Sequence, residues 1–200
     1  MKGTDPTIRP LRLADRDDAL AVINVAAQWY REFLPEEEWH EPEMTPAQWE
    51  AEAQGMTWYG AFVGGNLVGT MGLEYVQDAV LLRHAYILPE CQHQGIGTCL
   101  HEYLERQVQG VHRIIVGTYA GNYKARRALE KVGYSLSADS EAVLRSYYSV
   151  PEDRLRSSVT YLKPPALQEV ADLFLRSTLA RPPNLPIEPG PCCMVNLVSL

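Results

Sequence analysis

No run of apolar residues in this sequence approaches the roughly 18 to 20 that cross a bilayer, so nothing in it reads as a membrane span. The opening Met1-Lys2-Gly3-Thr4-Asp5-Pro6 lacks the apolar core of a secretory signal, and a cytoplasmic address is the default expectation. Cysteine is scarce. Cys91, Cys99, Cys192 and Cys193 include no Cys-x-x-Cys pair, and Cys99 reads as a small hydrophobe on the apolar side of a helix. No metal site is expected. Positive charge is also short, with 18 Lys and Arg against 25 Asp and Glu and a net charge of −7. Neutralising nucleic-acid phosphates requires clustered cations, so nucleic acid is excluded as the main partner. An acidic surface favours the approach of cationic small molecules or basic peptides.

What is present suits one domain with a proper core: 200 residues, of which 46% are hydrophobic and 22% charged. Ile8 to Leu13 reads as a first strand, and a helix follows with Leu20, Val22, Ile23, Ala26, Ala27 and Tyr30 at helical spacing. The acidic stretch from Pro35 to Pro42 reads as a solvated loop. Thr45-Pro46-Ala47-Gln48 carries a cap, a proline at the first helical position and a capping partner, opening a short helix that should end near Gly55. Tyr59–Val63 and Leu67–Tyr75 form a hairpin through Gly64-Gly65-Asn66, and after a tight turn at Gln77-Asp78 a fourth strand runs from Val80 to Leu88. A helix from Gly97 to about Gln109, a strand from His112 to Thr118 and a helix opened by Asn122 and stopped by Gly133 complete a crossover unit. Residues 141–148 fit helix or strand, and Ser157 to Leu162 reads as a last strand. The order implies an α+β fold, with a mixed, mostly antiparallel central sheet flanked by helices. Residues 1–163 form the domain; residues 164–200 read as an appendage, a helix from Ala166 to Leu179 and then a Pro-rich tail. It can pack back on the domain or meet a neighbouring subunit, which leaves a homodimer open.

The segment Ile87-Leu88-Pro89-Glu90-Cys91-Gln92-His93-Gln94-Gly95-Ile96-Gly97-Thr98 carries the clearest chemistry. A strand enters a loop, and two glycines precede a helix. Main-chain N–H groups then converge without Cβ atoms in the way, at the positive end of the helix dipole, which suits a pyrophosphate. Gln92 and Thr98 can add side-chain donors. A dinucleotide fingerprint needs a third glycine where Leu100 stands, and a phosphate-binding Gly-Lys-Ser or Gly-Lys-Thr does not occur.

A second segment, from Asn122 to Tyr134, follows the next strand. Together the two resemble the GNAT superfamily of acyl-CoA N-acyltransferases, whose Gln/Arg-x-x-Gly-x-Gly/Ala signature matches Gln92, Gly95 and Gly97, and whose Asn-x-x-Ala…Gly-Phe/Tyr helix matches Asn122, Ala125, Gly133 and Tyr134. The resemblance covers residues 7–163. It implies a splayed strand pair holding acetyl-CoA as co-substrate, with pantetheine along the backbone near Ile87 and pyrophosphate on the amides from Gln92 to Thr98, including His93, Gln94, Gly95, Ile96 and Gly97. It further implies that Asn122 contacts the cofactor from the far side, and that Arg126 or Arg127 reaches the adenosine phosphates. The implied reaction moves an acetyl group to a primary amine, on a small molecule or a peptide, by direct attack in a ternary complex. A non-catalytic acyl-CoA-binding module on the same fold is the alternative, because the family's usual tyrosine acid is replaced by Leu129 and a basic strand-four position by Leu81. Strand alternation puts residues 81, 83, 85 and 87 on one face, so Arg83 rather than His84 should line the cleft and anchor an acceptor carboxylate, unless a bulge reverses the phase. Glu74 on the neighbouring strand is the candidate catalytic carboxylate. Tyr30, Trp39 and Trp49 fall where the family binds the acceptor.

Overall fold

Gly64 and Gly65 both adopt positive φ, +59° and +86°, the conformation a two-residue hairpin turn needs to match strand twist. They join β2 (Met56–Val63) to β3 (Asn66–Val76), and a second tight turn at Gln77-Asp78 leads into β4 (Ala79–Ile87). The structure, a computed structural model, describes residues 5–165. The helix read over Ala166 to Leu179 and the Pro-rich tail lie outside the described residues.

The three strands form the middle of a seven-stranded sheet ordered β1-β2-β3-β4-β5-β7-β6, with β1 Thr7–Pro10, β5 Arg113–Tyr119, β6 Ser135–Leu136 and β7 Ser158–Lys163. Every neighbouring pair is antiparallel except β4 and β5, which the crossover helix α3 (Ile96–Glu105) makes parallel. The architecture is therefore α+β, mixed and mostly antiparallel. The first strand is shorter than expected, because Leu13–Asp15 winds into a 3-10 turn with Asp15 accepting the Arg12 N–H at 2.7 Å. The ambiguous stretch is helix: α5 (Ser140–Tyr147), capped by Asp139, whose carboxylate accepts the Ala142 N–H at 2.9 Å.

Helices cover both faces. On one face α3 and α4 (Tyr123–Lys131) bury Leu100, Leu104, Ala125 and Leu129 against Val80, Leu82, Ala85 and Ile87. On the other, α1 (Arg16–Ala26) and α2 (Pro46–Glu52) pack Ala19, Ile23 and Trp49 against Trp58 and Tyr86. The shift of core positions from 80 and 82 to 85 and 87 has a local cause. Gly72 pairs with Arg83 and Thr70 with Tyr86, so His84 and Ala85 together face Met71. This is a bulge, with His84 at φ +50°. The expected alternation is thus corrected: Arg83 and His84 lie on the same face, toward α1 and α2, and Ala85 and Ile87 turn to the face of α3 and α4.

β4 and β5 part company early. Their ladder runs from Ala79–Arg113 only to Leu81–Ile115. Beyond it β4 continues beside β3 to Ile87 and β5 beside β7 to Tyr119, so a wedge opens between them.

Candidate functional site

At the wide end of the wedge the chain turns into α3 through Gly95, which serves as N-cap at φ +82° with no side-chain cap. His93 is also left-handed, at φ +60°. A Cβ built on Gly95 meets nothing within 4 Å, so open space lies in front of the turn. Among the described residues, no backbone N–H from His93 to Thr98 donates a hydrogen bond. Uncapped first-turn amides carry the positive end of the helix dipole, and here His93, Gly95, Gly97 and Thr98 line a cavity.

Gln92 is spent differently from the expectation. Its main-chain N–H donates to Pro89 at 3.3 Å and its side-chain amide donates to the Ile87 carbonyl at 3.1 Å, so the free amides begin at His93. The side chain of Gln94 donates to the Glu90 carbonyl at 2.9 Å. Ile96 is buried and offers only its main chain. Leu88 donates its N–H to Val68 at 2.9 Å, and alternation therefore turns the N–H and C=O of Ile87 away from β3, into the wedge.

The cavity holds about 500 Å³ and is lined by Ile87, Gly95, Gly97 and Thr98 on one side and by α4 on the other. Asn122 starts α4: fully buried, it accepts the Ala125 N–H at 3.2 Å. It sets the helix start and is not itself part of the cavity lining. One turn on, Lys124, Arg127 and Lys131 face the cavity, and no carboxylate among the described residues pairs with them. Arg126 points elsewhere, donating to the Ala120 carbonyl at 2.9 Å and the Tyr161 hydroxyl at 3.2 Å. Free amides and three cations around one open volume fit a polyphosphate ligand.

The opposite face of the wedge is lined by buried polar side chains, Tyr30, Tyr86, Tyr119 and Glu43. Tyr30 donates to the Tyr86 hydroxyl at 3.3 Å, and Tyr86 donates to Glu43 at 3.4 Å. Tyr30 also packs edge-on against Tyr119 of β5, with ring centres 5.6 Å apart, and so spans the wedge. Arg154 on the short helix α6 (Glu152–Leu155) donates to the Tyr119 hydroxyl at 3.3 Å and meets His40. Burial pushes the Glu43 carboxyl up to about 8 and the Tyr86 hydroxyl well above its ordinary range.

Beside these lies a second charged group. Arg83 meets Glu74 at 2.7 Å and Glu52 at 3.6 Å, while His84 Nε2 sits 2.5 Å from the same Glu52 carboxylate. Burial works to raise Glu52, but the His84 ring and the Arg83 guanidinium outweigh it and hold the carboxyl below its usual range. Arg83, expected to await an acceptor carboxylate, is buried between two carboxylates of its own. Glu74 sits opposite Leu81, where β4 and β5 are still paired, and binds Arg83. Trp49 stacks on Trp58 in the core, and Trp39 lies under Arg31. Sequence reasoning passed over Glu43, Glu52 and Tyr86. Glu43 lies just past the acidic stretch, and nothing local marked it for burial.

The acetyltransferase (GNAT) family profile matches residues 23–134, more than half of the chain. The chain belongs to that family. No curated protein matches the sequence significantly. Among solved structures it is similar to the PaiA N-acetyltransferase from Thermoplasma acidophilum in complex with coenzyme A, at 18% identity over 80% of this chain and 99% of that one, with a TM-score of 0.64. An acetyltransferase from Thermus thermophilus gives 17% identity, 82% and 99% coverage and a TM-score of 0.61. The ribosomal-protein-S18-alanine N-acetyltransferase from Escherichia coli gives 18%, 81% and 95%, and 0.58. At these identities the likeness concerns the fold, and no helix among the described residues is long and apolar enough to cross a membrane.

Proposed function

We propose that this protein transfers an acetyl group from acetyl-CoA to a primary amine, on a small molecule or a peptide, by direct attack within a ternary complex. The observation that carries the reading is one cavity lined by His93, Gly95, Gly97 and Thr98, whose main-chain amides donate no hydrogen bond, and by Lys124, Arg127 and Lys131. These groups would hold the pyrophosphate, and the wedge-facing N–H of Ile87, whose carbonyl already accepts from Gln92, would align a pantetheine amide as a strand neighbour does. The thioester would then lie inside the wedge, where strands give way to exposed main chain.

An alkyl amine, with a pKa near 10.4, is mostly protonated at neutral pH and must lose a proton before it attacks. The acceptor then needs a route to the wedge from the face opposite the cofactor, bounded by Tyr30, Tyr86 and Tyr119. Net negative charge favours a cationic acceptor over an anionic one. Leu129, where the resemblance leads one to look for a tyrosine acid, is fully buried in the core. That observation favours a second reading, an acyl-CoA-binding module without turnover. Calorimetric titration with acetyl-CoA tests what both share, and release of free thiol across a panel of alkylamines, amino acids and peptides separates them. Turnover of any amine upholds transfer; tight binding with no turnover upholds the module.

A further inference from the structure

With phosphate-binding groups on the α3 and α4 side of the wedge, the proton of the acceptor must leave on the α1 and α2 side. Resting on the transferase reading above, we propose that Glu43 is the base of the reaction, receiving the acceptor's proton through the hydroxyl of Tyr86. Tyr86 adjoins Ile87 in β4, so its ring enters the α1 and α2 face directly beside the main chain that borders the wedge. Its hydroxyl hydrogen points to Glu43 at 3.4 Å, and its oxygen receives the Tyr30 hydroxyl at 3.3 Å. Glu43 is 8% exposed, so the Tyr86 hydroxyl covers a carboxylate that is otherwise almost out of reach of water.

The other titratable groups around it are less suited. Glu52 is held charged by His84 and Arg83. Arg83 and Arg154 carry guanidinium groups, which make poor bases. The Tyr119 hydroxyl is pushed up to about 12, chiefly by burial. Burial, and then the Arg154 guanidinium it meets, disfavour protonation of His40. The geometry at Glu43 is helped by its surroundings: burial and the nearby Glu52 charge raise its proton affinity toward neutrality, while Tyr86 and Arg154 keep the charged form within reach.

In this step the acceptor ammonium gives one proton to the Tyr86 oxygen as the Tyr86 hydrogen moves to Glu43. The freed nitrogen lone pair forms the N–C bond at the thioester carbonyl, the C–S bond breaks, and the second nitrogen proton ends on the departing sulfur. Glu43 later returns its proton to solvent.

The test compares the wild type with Glu43→Gln, Glu43→Asp and Tyr86→Phe, using the amine turned over fastest in a panel of alkylamines, amino acids and short peptides. Expected are a fall in kcat of about 100-fold for Glu43→Gln and partial recovery in Glu43→Asp, with acetyl-CoA affinity within about twofold of the wild type throughout. The wild-type kcat should rise with pH through about 8, and Glu43→Gln should flatten that limb. Acetyl-CoA binding retained by each variant shows that it has folded. An active wild type with an equally active Glu43→Gln of unchanged pH profile overturns the assignment of Glu43 alone. A wild type that binds acetyl-CoA but turns over no amine overturns the transferase reading and this proposal with it.

Discussion

A Glu52 carboxylate oxygen lies 2.5 Å from His84 Nε2, directly under the bulge that reverses the faces of β4. Glu52 ends α2, and His84 holds a left-handed φ of +50°, uncommon for a residue other than glycine. The pair therefore ties the helix of one layer to the irregular point of the sheet, one residue before the core positions change sides. Removing the carboxylate takes the anion away from buried His84 and leaves buried Arg83 with one fewer ion-pair partner. Glu52→Gln should cost about 3 kcal/mol in urea unfolding at neutral pH. Because the folded carboxyl is held below its unfolded value, the contribution is full above about pH 4.5 and is lost as pH falls through the folded value. The difference between wild type and variant should shrink below pH 4; a difference unchanged down to pH 3 contradicts the pairing.

The two arginines at the start of α4 make a discriminating pair. Arg127 faces the cavity, whereas Arg126 binds the Ala120 carbonyl and the Tyr161 hydroxyl. Arg127→Ala should weaken acetyl-CoA by about 1.5 kcal/mol, roughly tenfold in Kd, and flatten its dependence on salt. Arg126→Ala should leave the Kd within about twofold and lower stability by about 1 kcal/mol. Calorimetry at two salt concentrations reads the first, and thermal unfolding the second.

A clasp behind the cavity predicts how the fold responds to acid. Glu105 of α3 accepts from Lys163 at 2.8 and 2.9 Å and from Tyr134 at 2.8 Å, with His101 at 3.2 Å, and Lys163 also donates to the Val132 carbonyl at the end of α4. Burial opposes the charge, but these donors win and hold the carboxyl at about 2. A depressed carboxyl contributes stability that is present above its unfolded pKa and disappears as pH falls through its folded one. Taking 4.5 unfolded against about 2 folded, the contribution is about 3 kcal/mol above pH 5 and is lost toward pH 2. Glu105→Gln should be destabilised by a similar amount at neutral pH, with little further loss down to pH 3. A variant that follows the wild-type acid curve in parallel contradicts the clasp.

Much of this was legible in the sequence because the signals were local. Gly64-Gly65 needed only its own positive φ to make the hairpin, Thr45 and Gln48 form the expected reciprocal cap, with the Gln48 N–H donated to Thr45 at 3.3 Å, and Gly95 opens α3 as its N-cap. The bulge was not legible. It arises from the mismatch of β4 against β3, where two residues face Met71, and alternation within one strand cannot register that. Glu43 and Glu52 escaped for a related reason: a carboxylate in a polar segment reads as solvated until a tyrosine or histidine from a distant strand is seen to cover it. The cavity cations fell between these cases. The sequence offered Arg126 or Arg127 and passed over Lys124 and Lys131, because only the wedge determines which side of α4 faces the cavity.

The most direct measurement is calorimetric titration of acetyl-CoA into the wild type and Gly95→Glu. A side chain at Gly95 finds open space but a left-handed backbone, and glutamate adds a negative charge where the free amides converge. The wild type should bind and the folded variant should show no binding heat. Equal affinity in the two proteins, or a folded wild type that does not bind acetyl-CoA, contradicts the account.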